Sequence, residues 1–139
     1  MATFTLHPQL AADTLPLLDL PLCKVLLMND RQYPWLILVP QVRDAREFID
    51  LTPREQQQLW AEMTGVQAVL KEATRAQKLN VAALGNMVPQ LHIHIIARFE
   101  GDAAWPKPVW GQHPAKAYSP IEAGEFITRL RPLLDRMVR

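Results

Sequence analysis

The stretch PQLHIHIIAR, residues 89–98, places two histidines one residue apart in an otherwise apolar run. Polar and apolar residues alternate at its start, in the order Gln90, Leu91, His92, Ile93, His94, Ile95. This period of two predicts a half-buried strand that begins near Gln90. Side chains two apart on a strand point the same way, about 6 to 7 Å apart, so both imidazoles can address one ligand.

The pattern alone leaves three interpretations of the histidine pair open. Both imidazoles can be buried and hydrogen-bonded to backbone, since histidine is of intermediate burial. They can ligate a metal, but a tetrahedral site needs a third protein ligand, and neither His7 nor His113 sits at a recognisable ligand spacing. One imidazole can instead act as a nucleophile or an acid–base group, because the ordinary pKa of histidine is about 6.5.

The segments before the histidine stretch predict a hairpin and a long helix. Residues 23–29 (CKVLLMN) and 35–40 (WLILVP) flank a turn-prone DRQYP, which indicates an antiparallel hairpin. Thr52 and Glu55 surround Pro53 as a capping box, and the helix should continue to about Gln77. Its apolar stripe consists of Leu59, Met63, Val66, Leu70 and Ala73. Such a stripe packs either on the sheet of its own chain or in a dimer interface.

The remaining elements complete an α+β pattern. Residues 79–84 (LNVAAL) predict a strand, followed by a turn over residues 85–89. A second capping box at Ser119 begins a C-terminal helix, in which Pro132 should force a kink or a stop. For residues 1–22 we expect a short helix or an extended arm. The sequence therefore predicts a mostly antiparallel sheet with one long helix and a C-terminal helix.

Composition limits the range of partners and compartments. A chain of 139 residues fits a single domain, here residues 1–139. Its 15 basic and 14 acidic residues create no net field that would attract nucleic acid or an anionic membrane. No apolar run reaches the roughly 18 residues of a membrane span. The lone Cys23 and an N-terminus without signal-peptide features predict a cytoplasmic protein.

The turn before the histidine stretch is a candidate phosphate site. Gly85, Asn86 and Met87 offer backbone N–H groups that can converge on an anion, and glycine permits a close approach. The turn matches neither a Walker loop nor a dinucleotide-binding fingerprint. Gly85 can also be an ordinary turn glycine. The turn therefore indicates a phosphate site only in combination with the histidines.

Taken together, these residues resemble the histidine triad (HIT) family of nucleotide hydrolases and transferases, from about Leu22 to Trp110. The family motif is His-φ-His-φ-His-φ-φ, with φ apolar, and residues 90–96 match it at every position except the first, which is Gln90. The order of the other features is also similar: WLILVP, the capped helix, Asn80, Gly85, Arg98 and Trp105-Pro106.

The resemblance implies a covalent mechanism that needs no metal and no cofactor. His92 would attack the α-phosphorus of a nucleotide, with its other ring N–H held by a backbone carbonyl. His94 would bond the phosphate oxygens or assist the leaving group, and the Gly85 turn would stabilise the charge. Asn80 would orient the substrate. Asn29 lies near where family members place an acidic residue for the ribose hydroxyls, and either its amide binds them or it is an exposed turn residue.

The implied substrates are dinucleoside polyphosphates or nucleoside phosphoramidates, and the implied partners are a purine nucleotide and a second copy of the chain. In the implied homodimer the two sheets are continuous. Trp105 and Trp110 could cover the base or simply anchor their proline-rich loop.

Three departures from the family pattern leave a second function open. Gln90, the third candidate site residue beside His92 and His94, cannot titrate near neutral pH, but it can still hydrogen-bond and so position a neighbour or bind phosphate. Met87 stands where the family often has serine, and it offers no hydroxyl. Arg43 lies near where many members have a further histidine, and it either pairs with phosphate or is a surface residue. The alternative function is therefore a non-catalytic nucleotide-binding or interaction module.

Overall fold

The computed structural model describes residues 3–138, so both ends of the predicted domain 1–139 lie outside the described residues. It contains one antiparallel sheet, in the strand order β1-β2-β3-β5-β4. The strands are β1 (Thr14–Asp19), β2 (Cys23–Met28), β3 (Trp35–Pro40), β4 (Lys78–Ala82) and β5 (Ile93–Arg98). The helices are α1 (Pro8–Asp13), α2 (Pro53–Thr74) and α3 (Pro120–Asp135), with short 3₁₀ turns at Phe48–Asp50 and Arg136–Val138. The predicted α+β architecture is confirmed.

The N-terminal region contains more regular structure than the sequence predicts. The hairpin of β2 and β3 forms as expected. Residues 1–22 hold not only a short helix but also the edge strand β1, paired with β2. Pro16 lies within β1, and the register shifts between Pro16 and Leu18. Proline is tolerated on edge strands and at bulges. It also interrupts the alternation of period two by which a strand is predicted from sequence.

Helix α2 begins as predicted and ends three residues early. The Thr52 hydroxyl accepts from the N–H of Glu55 at 3.2 Å, and the Glu55 carboxylate accepts from the N–H of Thr52 at 2.8 Å. The helix ends because Arg75 adopts a left-handed conformation (φ 58°), with its N–H bonded to the carbonyl of Lys71. The stripe packs into the core of its own chain through Leu59, Met63, Val66 and Leu70.

Helix α3 does not stop at Pro132. It continues to Asp135, although proline removes one backbone hydrogen bond from the helix. Leu130 and Leu134 lie on either side of Pro132 and are both fully buried in the core. Their burial stabilises the helical backbone across the proline.

Both faces of the sheet are covered, so the prediction of a half-buried histidine strand was wrong. Helices α2 and α3 contribute to the core on one face. On the other face, Leu10 of α1 and Ala104 and Val109 of the 99–119 loop pack against the sheet. Every residue of β5 is therefore buried. The strand also begins at Ile93 rather than near Gln90, and β4 ends at Ala82 rather than residue 84.

A buried carboxylate joins α2 to the turn between β1 and β2. Glu62 is 2% exposed, and its two oxygens accept from the backbone N–H groups of Leu22 and Cys23 at 2.8 Å each. Burial and the neighbouring Glu62 raise the pKa of the Cys23 thiol. Sequence reasoning missed Glu62, although its place three residues after Leu59 puts a charge on the apolar stripe.

Candidate active site

The two histidines of the motif lie together at the wall of one cavity, which we call the histidine cavity. His92 immediately precedes β5, and His94 lies within it opposite Ile37 of β3. The cavity has a volume of about 360 Å³. Its lining includes Asp13, Met28, the turn of residues 84–88, His92, His94 and Trp110. The imidazole centroids are 4.9 Å apart, which is close enough for both rings to contact one ligand.

The backbone determines which nitrogen of His92 is free. Its Nδ1 lies 2.7 Å from the carbonyl oxygen of Gln90. A carbonyl only accepts hydrogen bonds, so Nδ1 carries the proton of the neutral ring. The Nε2 lone pair of His92 is then available to attack an electrophile.

His94 has the opposite arrangement. The indole Nε1–H of Trp35 donates to Nδ1 of His94 at 3.0 Å. An indole only donates, so Nδ1 holds a lone pair and the ring proton lies on Nε2. Burial, together with the neighbouring His92, lowers the pKa of His94 to about 4. At neutral pH His94 is therefore an uncharged ring with one N–H to offer.

The turn of residues 84–88 lines the histidine cavity and carries backbone N–H groups that are unpaired among the described residues. Gly85 has φ +75°, a conformation that side-chain-bearing residues rarely adopt. Within residues 3–138, no acceptor pairs with the backbone N–H groups from Gly85 to Val88. Met87 is 94% exposed at this turn. In the described part of the chain no lysine or arginine lines the cavity, so an anion would be held by backbone and imidazole N–H groups.

A second cavity, the adjoining cavity, shares Asp13, Met28 and Trp110 with the first. Its volume is about 390 Å³, and Asn29 lies in its wall. The Asn29 Oδ1 accepts from the N–H of Tyr118 at 2.9 Å, which leaves the amide Nδ2 as its donor to a ligand. Sequence reasoning missed Asp13, because it lies in a segment for which no regular structure was defined.

The side chain of Gln90 is not among the residues that line the histidine cavity. Its Oε1 accepts from the N–H of His7 at 2.8 Å, and its Nε2 donates to the carbonyl of Thr5 at 2.9 Å. Both ends of the amide thus hold the N-terminal segment beside the site. The side chain thus bonds to the N-terminal segment, only the backbone carbonyl of Gln90 bonds to His92, and binding of phosphate by this side chain stays a prediction.

Asn80 is also outside both cavities, in a buried network around Arg98. Its Oδ1 accepts from Nη1 of Arg98 at 2.8 Å. Arg98 is 1% exposed and also donates from Nε and Nη2 to Asp102, at 2.8 and 3.0 Å, and from Nη2 to the carbonyl of Lys107, at 2.8 Å. Asn80 thus contacts Arg98 at the start of the 99–119 loop, and its expected contact with a substrate stays a prediction.

The two loop tryptophans have different positions. Trp110 lines both cavities, with its ring centroid 5.1 Å from that of His94. Trp105 instead lies over the Arg98 guanidinium at 5.7 Å. Of the two roles considered, Trp110 has the position of a cover for the site and Trp105 that of a loop anchor. Arg43 is 65% exposed and pairs with Asp44 at 3.7 Å on the surface.

The Arg98 network predicts a specific acid dependence of stability. Burial by itself would raise the pKa of Asp102, but hydrogen bonds from Arg98 and from the N–H groups of Phe99, Trp105 and Ala104 lower it to about 2. The lowered pKa stabilises the folded state fully above the usual value of 3.8, and this contribution is lost as the pH falls toward about 2.

In Asp102→Asn the free energy of unfolding should therefore fall less steeply between pH 3.8 and about pH 2 than it does in the wild type. Urea unfolding at a series of pH values measures it. An unchanged slope in the variant would assign the acid dependence to other carboxylates.

Residues 3–138 lack two kinds of feature. No group of three or more His, Cys, Asp or Glu side chains there is placed to hold a metal ion. No helix in that range is both long and apolar enough to cross a membrane.

The chain is similar to one protein family model and to several solved structures. The HIT domain model matches residues 10–101. A histidine triad protein from Bradyrhizobium japonicum is 50% identical with a TM-score of 0.92, over 99% of this chain and 100% of that one. One from Marinobacter aquaeolei VT8 is 47% identical with a TM-score of 0.95, over 98% and 99%. A histidine triad protein from Sinorhizobium meliloti 1021 is 51% identical with a TM-score of 0.90, over 92% and 95%.

The search of curated proteins gives no match. The family model nevertheless covers more than half of the chain, and these structures align over nearly all of it. The chain belongs to the HIT domain family.

Proposed function

We propose that the protein is a nucleotide hydrolase or nucleotidyl transferase that acts at the α-phosphate through a covalent nucleotidyl-His92 intermediate. The proposed substrates are dinucleoside polyphosphates or nucleoside phosphoramidates. One observation carries the proposal: two imidazoles share one cavity, and Nδ1 faces a carbonyl acceptor in His92 but an indole donor in His94. One offers a lone pair and the other an N–H, which are the groups that a displacement at phosphorus needs.

The reaction divides into two displacements. The Nε2 lone pair of His92 forms a bond to the α-phosphorus, while the bond from phosphorus to the leaving group breaks and that group takes a proton from solvent. Water or another acceptor then attacks the same phosphorus, loses its proton to solvent and restores the Nε2 lone pair. The Nδ1–H of His92, bonded to the Gln90 carbonyl, stabilises the positive charge that the ring acquires in the intermediate.

His94 acts as a hydrogen-bond donor to a phosphate oxygen and not as the acid that protonates the leaving group. General acid catalysis would need the imidazolium form, and with a pKa of about 4 that form is scarce at neutral pH. A neutral Nε2–H still donates a hydrogen bond. Together with the N–H groups at Gly85, Asn86 and Met87, it would bind the charge that builds up on the equatorial oxygens.

The nucleoside would occupy the adjoining cavity. Within residues 3–138 the Asn29 Nδ2 has no acceptor, so it can donate there to a ribose hydroxyl, and Trp110 forms a wall common to both cavities. A purine next to Trp110 would gain aromatic contact area. This arrangement supports a nucleotide that spans the two cavities, with its α-phosphate at His92.

We further propose that Gln90 replaces the first histidine of the triad and has lost any acid–base role. Each end of its amide makes one hydrogen bond to the N-terminal segment, at His7 and Thr5, and an amide does not titrate near neutral pH. The mechanism then relies on His92 and His94 alone among the triad positions.

The proposed oligomer is a homodimer, and the proposed compartment is the cytoplasm, where the thiol of Cys23 would stay reduced. Strand β4 is the edge suited to a continuous sheet, since β1 at the other edge contains Pro16 and a bulge. Val81 on β4 is 40% exposed. Sedimentation equilibrium tests the dimer, and a monomer at micromolar concentration contradicts it.

The experiment that tests the function separates turnover from binding. Adenosine monophosphate is titrated by calorimetry, and release of ammonia from adenosine phosphoramidate is followed in parallel. The proposal expects both binding and multiple turnovers. Binding without product would instead establish the alternative, a non-catalytic nucleotide-binding module, which Met87 and Gln90 would then explain.

The glycine turn provides a matched pair of variants. Gly85→Ala and Gly101→Ala both put a methyl group at a positive φ, +75° and +91°, and neither meets an atom closer than 3.6 Å. Only Gly85 lines the histidine cavity. We expect Gly85→Ala to weaken adenosine monophosphate binding about tenfold, the effect of losing roughly one hydrogen bond, and Gly101→Ala to leave it unchanged. Calorimetry on both variants measures this, and equal affinities would reduce Gly85 to an ordinary turn residue.

A further inference from the structure

Trp35 is buried, bonds to His94 and also lies in the wall of the adjoining cavity. It is 6% exposed, and its ring packs edge-on against those of Tyr33 and Trp110, with centroids 6.3 and 5.7 Å away. These neighbours restrict the orientation of the indole. Its Nε1–H therefore points at Nδ1 of His94 in a fixed direction, at 3.0 Å.

The two histidines have hydrogen-bond partners of opposite kind. The Gln90 carbonyl can only accept, whereas the Trp35 indole can only donate. A proton on Nδ1 of His94 would place two N–H donors face to face in a buried site, which costs the desolvation energy of both. His94 is thereby prevented from adopting the tautomer of His92.

We propose that Trp35 is a positioning residue that fixes His94 as an Nε2–H donor and so makes His92 the sole nucleophile of the pair. The inference rests on the proposed function for its catalytic meaning, but the tautomer itself is a property of the ligand-free protein. A tautomer with Nδ1–H would turn the Nε2 lone pair of His94 toward the cavity. This lone pair would repel the phosphate oxygens, which the Nε2–H of the other tautomer binds.

The test compares two conservative variants of neighbouring aromatic residues. Trp35→Phe keeps an aromatic ring and removes the indole N–H. Tyr33→Phe removes a buried hydroxyl that has no hydrogen-bond partner in the described part of the chain, so it is the matched control. NMR of isotope-labelled histidine assigns the protonated nitrogen of each ring without ligand, and quenched-flow kinetics with adenosine phosphoramidate gives the rate of covalent intermediate formation.

The wild type and Tyr33→Phe should show His94 protonated on Nε2 and His92 protonated on Nδ1. In Trp35→Phe we expect His94 to populate Nδ1–H while His92 is unchanged, and the intermediate to form about tenfold more slowly, the effect of one lost hydrogen bond. Nδ1–H on His94 in the wild type, or an unaltered tautomer and rate in Trp35→Phe, would overturn the role of Trp35. Absence of any intermediate in the wild type would instead refute the proposed function, and the NMR result would still decide the tautomer.

Discussion

His92→Ala should lower turnover of adenosine phosphoramidate by on the order of 10⁴-fold, about 5.5 kcal/mol of transition-state stabilisation. The reason is that the substitution removes the only atom that our mechanism allows to form the covalent bond. Loss of a mere hydrogen bond would cost about tenfold. The difference between these magnitudes separates a nucleophile from a ligand-binding histidine.

Binding and folding serve as the controls for this variant. Adenosine monophosphate should still bind, because the turn at Gly85 and the Nε2–H of His94 remain in place. The far-UV circular dichroism should also be unchanged, since His92 lies outside β5 and its ring lines a cavity. A folded His92→Ala protein that retains a tenth of wild-type turnover would show that the displacement proceeds without this histidine.

Arg98→Met should lower the free energy of unfolding by about 3–5 kcal/mol, the usual effect of removing one partner from a buried ion pair. Methionine fills similar space but leaves Asp102 buried with only its backbone donors. It also leaves the carbonyl of Lys107 and the amide oxygen of Asn80 without the Arg98 donors. Stabilities of single domains are typically about 5–15 kcal/mol, so the variant would be marginal.

Arg43→Met is the matched control for this substitution. Arg43 also pairs with an aspartate, but it is 65% exposed, and exposed pairs contribute about 0–1 kcal/mol. Urea unfolding followed by far-UV circular dichroism gives both free energies. If both variants lost a similarly small free energy of unfolding, the Arg98 network would not stabilise the 99–119 loop as its geometry indicates.

The features predictable from sequence are those encoded within a few residues. Both capping boxes form with the predicted partners, because cap and acceptor are three residues apart. The hairpin of β2 and β3 and the apolar stripe on α2 likewise depend on local periodicity and local turns. The turn at Gly85 adopts the positive φ that its glycine allows.

The features that escaped prediction depend on contacts between distant segments. Trp35 and His94 are 59 residues apart, and Gln90 bonds to Thr5 across 85 residues. The second layer over β5 comes from α1 and a proline-rich loop, neither of which shows a periodic pattern that would indicate a covering element. The family resemblance indicated His92 and His94, but only the structure revealed the partners that give them opposite tautomers.

In the proposed mechanism the nucleotide becomes covalently attached to His92. Wild-type protein is mixed with adenosine phosphoramidate, quenched within the first turnover and digested, and the modified peptide is identified by mass spectrometry. We predict one adenylyl group on the peptide that contains His92, stable to base and labile to acid as a phosphorus–nitrogen bond should be, and no label in His92→Ala. Turnover with no labelled peptide at any quench time, or label that persists in His92→Ala, would contradict the account.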